Sequence, residues 1–447
     1  MIDRNALKYL AKWKDSGTRK PLVIRGARQV GKTTLVKEFA KQYDVFLDLN
    51  LEKLADRQLF EDYQNVHDLL TAVFFYKEKR RNSGTTLLFI DEIQYSKQAI
   101  AILRYFYEEA NDIHVIVAGS LLESVIDVRK ISFPVGRVQY MALRPCSFLE
   151  FLNGIGKDFD IDLIQNLQVE SVVHDRIIKN FHTFILVGGM PAVVSRYAES
   201  QDILSLKEIY ESLLISYQDD VEKYTKNANL IKIIRTILSV GWTSAGEVIS
   251  FERFGGTHYS SKEINAAFQT IQKAMLLDLI YPTSETAMPL IQNFRKHPKL
   301  LWLDTGLVNF AAGIQKEIFS IANIQDIWRG RIAEHIVAQE LLTLSDNLLT
   351  KRVYWRRDKQ GSEAEVDFIY PYNNLAIPIE VKSGHNSKLK SLHLFMDSAP
   401  HHLAVRIWSN PFSIDDVSTP VGKRFKLINL PFYYIGMLDK VLERVSM

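Results

Sequence analysis

Residues 21–38 read PLVIRGARQVGKTTLVKE: a short apolar run, a loop, and a helix opening at Thr33, Thr34, Leu35 and Val36. Within it Gly26, Ala27, Arg28, Gln29, Val30, Gly31, Lys32 and Thr33 fit the pattern G-x-x-x-x-G-K-[ST], in the strand–loop–helix setting that the pattern requires. The residue types follow from the chemistry. Glycines let backbone N–H groups converge on a phosphate at a helix N-terminus, where the partial positive end of the dipole already favours an anion. Lys32 is placed to reach the β- and γ-phosphates, and the Thr33 hydroxyl to take one Mg²⁺ position. By average composition the pattern arises by chance on the order of once in a hundred chains of this length. A glycine turn before an ordinary helix is therefore the weaker reading, and a nucleotide with Mg²⁺ is the expected ligand.

A second signal lies downstream. Thr85 to Glu92 reads TTLLFIDE, a buried-strand run ending in two carboxylates. That is the expected form of a parallel strand whose carboxyl end faces a nucleotide. Asp91 would hold the Mg²⁺ through water, and Glu92 would orient or deprotonate the attacking water. Lys97 to Ala110 then places Ile100, Leu103, Phe106 and Ala110 on one helical face, and Ile113 to Ala118 is again strand-like before Gly119 and Ser120. Strand, helix, strand recurring in this way predicts an α/β fold built on a doubly wound parallel sheet. Ser120 stands where a polar sensor of the γ-phosphate would be useful; it could equally N-cap a helix over 121–125, with Glu123 at N3.

Composition bounds the rest. The 447 residues correspond to roughly three domains. Lys+Arg 55 against Asp+Glu 52 leaves +3, too balanced to nominate nucleic acid by charge alone. One cysteine, Cys146, excludes an intramolecular disulfide framework or a multi-cysteine metal site. Charges at Asp3, Arg4, Lys8, Lys12 and Lys14 break up the first segment, so it lacks a secretory h-region. No window approaches 18 uncharged apolar residues. The expectation is a soluble, cytoplasmic protein without a membrane partner.

From about 150 to 230 the pattern is mainly helical, interrupted at Gly188-Gly189-Met190-Pro191 by a break better read as a turn than as a hinge. Ser244 with Glu247 and Ser260 with Glu263 have capping-box spacing, and the second opens a helix with Ile264, Ala267, Phe268 and Ile271 on one face. With a strand over Leu276 to Tyr281, the order resembles a winged helix. Its second helix offers Lys262 and Lys273 against Glu263, hardly a basic stripe, which favours a structural or dimerising role over DNA reading.

Near the C-terminus Glu365 to Ile369 and Ile377 to Lys382 alternate like strands, joined by the turn-rich Pro371-Tyr372-Asn373-Asn374. The period of two puts Glu380 and Lys382 on one face, with Ile379 and Val381 directed into the core. Asp367 followed by Glu380-x-Lys382 resembles the D…E-x-K core of restriction-endonuclease-like folds, in which the acids bind Mg²⁺ and the lysine supports the attacking water. Glu334 lies on an amphipathic helix with Ile332, Ile336, Val337 and Leu341, where such folds often add another acid. A charged solvent face on a hairpin is the bland alternative. Lys351, Arg352, Arg356, Arg357 and Lys359, with Tyr354 and Trp355 between them, could contact phosphates, although a solvated strand-loop is the commoner origin of such a run.

RGARQVGKTTL, LLFIDEIQ, VAGS and VGRVQYMALRPCSFLEF, with GGMPAVV, KHPKLLWLDTGL, RGRIAEHIVAQEL, YWRRDKQGSEAEVDFIY and IPIEVKSG, resemble the prokaryotic AAA-type P-loop ATPases. The C-terminal half of those proteins is an uncharacterised domain related to restriction endonucleases. The resemblance covers most of the chain. It implies ATP rather than GTP, and it implies a role for Arg137 near the γ-phosphate, since a Gly-Arg pair after the sensor strand commonly supplies such a charge; the alternative is a surface arginine flanking a strand. Gln94, in the Asp-Glu-Ile-Gln phrase, would position water or cap the next helix.

The expected organisation is an ATPase domain over 1–150, a helical region over 151–230, a winged-helix-like module over 231–320, and a restriction-endonuclease-like domain over 321–447. The expected function is a Mg²⁺-dependent ATP-binding protein and ATPase coupled to a nuclease-like domain. The alternatives are a nucleotide-gated switch or scaffold with little turnover, and an ATP-regulated metal-dependent nuclease. Nucleic acid, a protein partner or a second copy of the chain are the candidate partners beyond the nucleotide.

Overall fold

A computed structural model describes residues 2–81, 83–119, 136–313, 327–345, 347–357, 364–382 and 389–446. Ser120 lies outside the described residues, as do Glu123, with the helix over 121–125, and Lys359.

The first sheet holds β1 (Leu22–Arg25), β2 (Val45–Asn50), β3 (Thr86–Asp91), β4 (Ile113–Ala118) and β5 (Gln139–Ala142), in the order β2-β3-β4-β1-β5. Every pairing is parallel. The residues of β3 are all buried, which explains the unbroken apolar run TLLFI: a central parallel strand is covered on both faces. The helix Lys97–Glu109 begins where the Ser96 side chain accepts from the Ala99 N–H, and it buries Ile100, Leu103 and Phe106 against the sheet.

Helices dominate the middle: Ser171–Val187, Pro191–Ser200, Lys207–Asp219 and Ala228–Val240. The break at Gly188-Gly189 is a turn, and Pro191 sits in the first turn of the next helix, where its missing N–H costs nothing. Ser260 and Glu263 form the expected capping box at the start of the helix Ser261–Lys273. The pair Ser244 and Glu247 caps no helix. Ser244 ends a short 3-10 turn, and the Glu247 carboxylate pairs with Arg331 instead. After the helix Ser261–Lys273 come β6 (Leu277–Ile280) and β7 (Pro282–Thr283), and β6 pairs antiparallel with β8 (Lys299–Trp302).

The second sheet is mixed. It contains β9 (Val353–Arg356), β10 (Glu365–Tyr372), β11 (Leu375–Val381), β12 (Leu403–Trp408), β13 (Ser413–Ser418) and β14 (Arg424–Pro431), with β7 as one edge, in the order β13-β14-β12-β11-β10-β9-β7. The central position of β11 makes Glu380 a buried residue rather than part of a solvent face. One apolar core runs from the inner face of the first sheet (Leu22, Ile24, Phe89) through the helices to the second sheet (Ile377, Ile379, Val405).

Candidate active site and a C-terminal acidic cluster

The loop after β1 wraps tightly. A Cβ on Gly26 would stand 2.4 Å from the Leu143 carbonyl oxygen, and Gly31 has φ 93, in the region where L side chains are strained. The helix Lys32–Phe39 starts directly from Gly31, so its free N–H groups open toward the loop. The Lys32 ammonium folds back onto the carbonyls of Gly26 (3.0 Å) and Ala27 (2.9 Å). Burial pulls it down to about 8, partly offset by the carboxylates of Glu92 and Asp91, so it is poised to gain from an arriving polyanion.

The Thr33 hydroxyl donates to Asp91 Oδ2 at 2.6 Å. A hydroxyl and a carboxylate brought together at the mouth of a phosphate loop are the oxygen donors that a hydrated Mg²⁺ takes, so the residues fit that ion. Glu92 follows Asp91 in a left-handed conformation (φ 52, ψ 44), an uncommon state for a non-glycine residue and one that turns its side chain out of the strand direction. Burial raises both carboxyls above their ordinary range, which brings Glu92 nearer the pH at which a general base works best. The Gln94 amide donates to the Glu92 carboxylate, while Ser96 caps the next helix. Gln94 therefore positions Glu92.

Arg28, Gln29, Gly31, Lys32, Thr33, Thr34 and Glu92 line a cavity of about 520 Å³, closed opposite by Pro191, Ala192 and Ser195. The glycine-proline phrase thus supplies a wall of the loop's cavity. Its shape is set by Asp304, fully buried, whose carboxylate accepts from Gly189 N at 2.5 Å and from Leu307 N at 3.1 Å and whose carboxyl is pushed up to about 6 by burial. The Arg28 guanidinium pairs with Asp220, between the helices Lys207–Asp219 and Val221–Tyr224, and the Tyr217 hydroxyl donates to the Arg28 carbonyl at 3.3 Å. Asp220 and Asp304 were not singled out by sequence. The Leu303-Asp304-Thr305-Gly306 phrase carried an N-cap signal that could have revealed the second.

Arg137 is not brought to the site. It precedes β5, which runs parallel to β1 with Leu22 opposite Gln139 and Arg25 opposite Ala142, so Arg137 lies at the far edge of the sheet from a loop that follows β1. There it pairs with Glu108 at 2.6 Å and is half exposed.

In the C-terminal sheet β10 and β11 are antiparallel with Phe368 opposite Ile379, which sets Asp367 opposite Glu380 on one face. Asp367 Oδ2 accepts from Val381 N at 2.7 Å, and the Lys382 ammonium bonds Glu380 Oε1 at 2.7 Å. Glu334, on the helix Ile327–Thr343, exerts its charge on both acids. The four residues therefore gather. Beside them stands a fifth that sequence reasoning missed: Lys299, buried at the start of β8, whose ammonium bonds Glu334 (2.7 Å) and Glu365 (3.1 Å) and lies over the rings of Tyr354 and Phe368. Burial and mutual repulsion raise Asp367 well above the carboxylate range, and burial raises Glu380. Among the described residues no group of three or more His, Cys, Asp or Glu is arranged to hold a metal ion. Lys299 and Lys382 already compensate carboxylates of this cluster, and the described residues as arranged do not fit a metal ion.

Of the basic run upstream, Arg352 is interior with the two aromatic residues, Arg356 and Arg357 are half-buried, and Lys351 is exposed. Tyr354 is buried with its hydroxyl on the His297 carbonyl, the Trp355 indole N–H donates to the Ser284 carbonyl, and Arg352 is buried against Asp278 and the Ala338 carbonyl. No helix is long and apolar enough to cross a membrane among the described residues.

Among known proteins, the match of the N-terminal residues to an AAA domain agrees with the phosphate loop. Residues 18–152 match the model of an AAA domain family, 178–318 a domain of unknown function (DUF8612), and 329–433 another domain of unknown function (DUF4143). The chain is 23% identical over 421 residues to the uncharacterized protein MJ1637 of Methanocaldococcus jannaschii, covering 85% of this chain and 79% of that one. Among solved structures it is loosely similar to the Walker-type ATPase PABY2304 of Pyrococcus abyssi, at TM-score 0.45 and 15% identity over 70% of this chain and 96% of the other. It is more distantly similar to the Thermotoga maritima RuvB Holliday junction branch migration motor, at TM-score 0.29 and 15% identity over 66% and 93%. The first third of the chain is thus an AAA-type P-loop domain by its sequence match, by its parallel five-stranded sheet and by the loop that follows β1.

Proposed function

We propose that this protein binds ATP with Mg²⁺ at the Gly26–Thr33 loop and hydrolyses it. The observation that carries this reading is the joining of Thr33 to Asp91 across the loop, with Lys32 buried beside them and Glu92 turned into the same cavity. Bound Mg²⁺ would neutralise charge on the β- and γ-phosphates from Thr33 and Asp91. Loop N–H groups and Lys32 bind and orient the phosphates, and Glu92, held by Gln94, accepts a proton from water. Residues 1–150 form the ATPase domain in this reading, 151–230 the helical region, 231–320 a winged-helix-like module and 321–447 a domain with restriction-endonuclease-like ancestry.

A second reading, a nucleotide-gated switch with slow turnover, is favoured by the position of Arg137 and by the Arg28–Asp220 pair. The first leaves the site without the arginine expected after the sensor strand. The second ties a phosphate-loop residue directly to the helical region. The lysine-compensated cluster supports a binding or structural C-terminal domain over a metal-dependent nuclease. Steady-state ATP hydrolysis by the purified chain, beside Glu92→Gln, separates the readings: turnover lost in the variant supports an ATPase, and equal negligible rates support the switch.

A further inference from the structure

A second cavity, of about 370 Å³, lies where the first sheet, the helix Ser261–Lys273, β6 and the helix Ile327–Thr343 meet. Its wall carries five basic residues, Arg25, Arg144, Lys273, Lys351 and Arg352, against a single acid, Asp278. That acid is already engaged. Asp278 Oδ2 receives Arg352 at 2.6 Å, and Oδ1 receives the Gln272 amide at 2.7 Å. Arg144 is left in excess: it is partly buried, its Nε is enclosed without a hydrogen-bond partner, and the repulsion of Arg352 outweighs the attraction of Asp278. Burial and that repulsion pull even its guanidinium down to about 10. A buried donor of a cation left unmet is costly unless an anion completes it, and guanidinium groups match the oxygens of phosphate.

The rest of the wall narrows the ligand. Gln269 and Gln272 present amides, and Tyr281 with Phe294, ring centroids 4.8 Å apart, offers an aromatic face at which Phe294 is two-thirds exposed. Amides and an aromatic face beside clustered cations suit a base carried on a phosphorylated sugar. We infer that this interdomain cavity binds a nucleoside phosphate monoester, received by Arg144 with Lys351 at the mouth, at a site separate from the Gly26–Thr33 loop. A free mononucleotide and the 5′-phosphorylated end of a nucleic-acid strand share that chemistry. The inference does not depend on ATP hydrolysis, because none of the residues named lines the cavity of the Gly26–Thr33 loop. Arg25 nevertheless immediately precedes Gly26, so occupancy would be felt next to the loop.

The test uses the full chain carrying Lys32→Ala, which silences the phosphate loop. Calorimetric titration with AMP, with a 5′-phosphorylated oligothymidylate and with the same oligomer ending in a 5′-hydroxyl gives the comparison. Binding of AMP alone identifies the free mononucleotide, and preference for the phosphorylated oligomer identifies the strand end. In either case Arg144→Gln should weaken binding about tenfold or more, and Lys351→Gln about threefold. Lys351 is exposed, so its variant keeps the test decisive should Arg144→Gln fail to fold. The inference is overturned if neither phosphorylated probe binds, if the 5′-hydroxyl oligomer binds as well as the phosphorylated one, or if neither substitution changes the affinity.

Discussion

Replacing Lys299 by Met removes one buried positive charge while keeping a flexible side chain of similar length. Lys299 is 2% exposed, and its ammonium bonds Glu334 at 2.7 Å and Glu365 at 3.1 Å. It also lowers the charge burden on Asp367, half-buried, and Glu380, buried, both already raised by desolvation. Removing one member of a buried ion-pair network costs about 3–5 kcal/mol, because the partners are left uncompensated. Glu334 and Glu365 are about a quarter to a third exposed and can rehydrate, so the lower end, about 3 kcal/mol, is expected. At roughly 2–4 °C per kcal/mol, thermal unfolding monitored by near-ultraviolet circular dichroism should shift down by about 10 °C near neutral pH. The sign of the pH dependence is set by the acids. Asp367 and Glu380 have folded-state pKa values above the unfolded ones that rise further without the ammonium, so each favours folding when protonated and opposes it as pH rises. The deficit should therefore be largest at neutral pH and shrink on acidification toward pH about 5. A variant as stable as the parent at neutral pH, or a deficit that grows on acidification, would refute the assignment of Lys299 as the cation of the cluster.

Lys32→Ala should remove most nucleotide affinity, since Lys32 is the side-chain charge nearest the expected phosphates; titration calorimetry showing parental affinity in a folded variant counts against the loop. Glu92→Gln should retain affinity and lose turnover by at least about a hundredfold, measured as phosphate release, because the change removes the base and leaves Asp91 in place. Asp304, raised to about 6 in the fold, should contribute a stability term that is full below about pH 4 and lost as pH rises through 6, worth about 3 kcal/mol. Asn at 304 should flatten that slope in urea denaturation between pH 4 and 7, and an unchanged slope would assign it to another group.

The phosphate loop and its sheet were legible because their signals are local. Gly26 to Thr33 and Thr86 to Asp91 are contiguous runs whose residue types follow from one neighbour, the phosphate or the covering helices. Strand alternation likewise placed Asp367, Glu380 and Lys382 together. The partners across long separations were not legible. Nothing around Lys299 in KHPKLLW distinguishes a strand's first lysine in solvent from one driven 2% exposed onto two carboxylates, since that depends on a helix more than thirty residues later. Arg137 misled for the reverse reason. A motif fixes which strand an arginine precedes, but the parallel register of β5 on β1 decides at which end of the sheet it lies. The capping spacing of Ser244 and Glu247 was overridden when Arg331 claimed the glutamate.

The short strand β7 and the lysine that opens β8 both come from the segment before residue 320, yet one completes the edge of the last sheet and the other supplies a charge to its acidic cluster. Cutting the chain at residue 320 would therefore leave the last 127 residues with a bared strand edge and several like charges facing one another. Such a fragment is not an interchangeable cassette. Transplanting it onto another ATPase, or expressing it to look for activity, calls for a graft that begins before Tyr281, and a chimera joined later should aggregate even where every boundary suggested by family matching is respected.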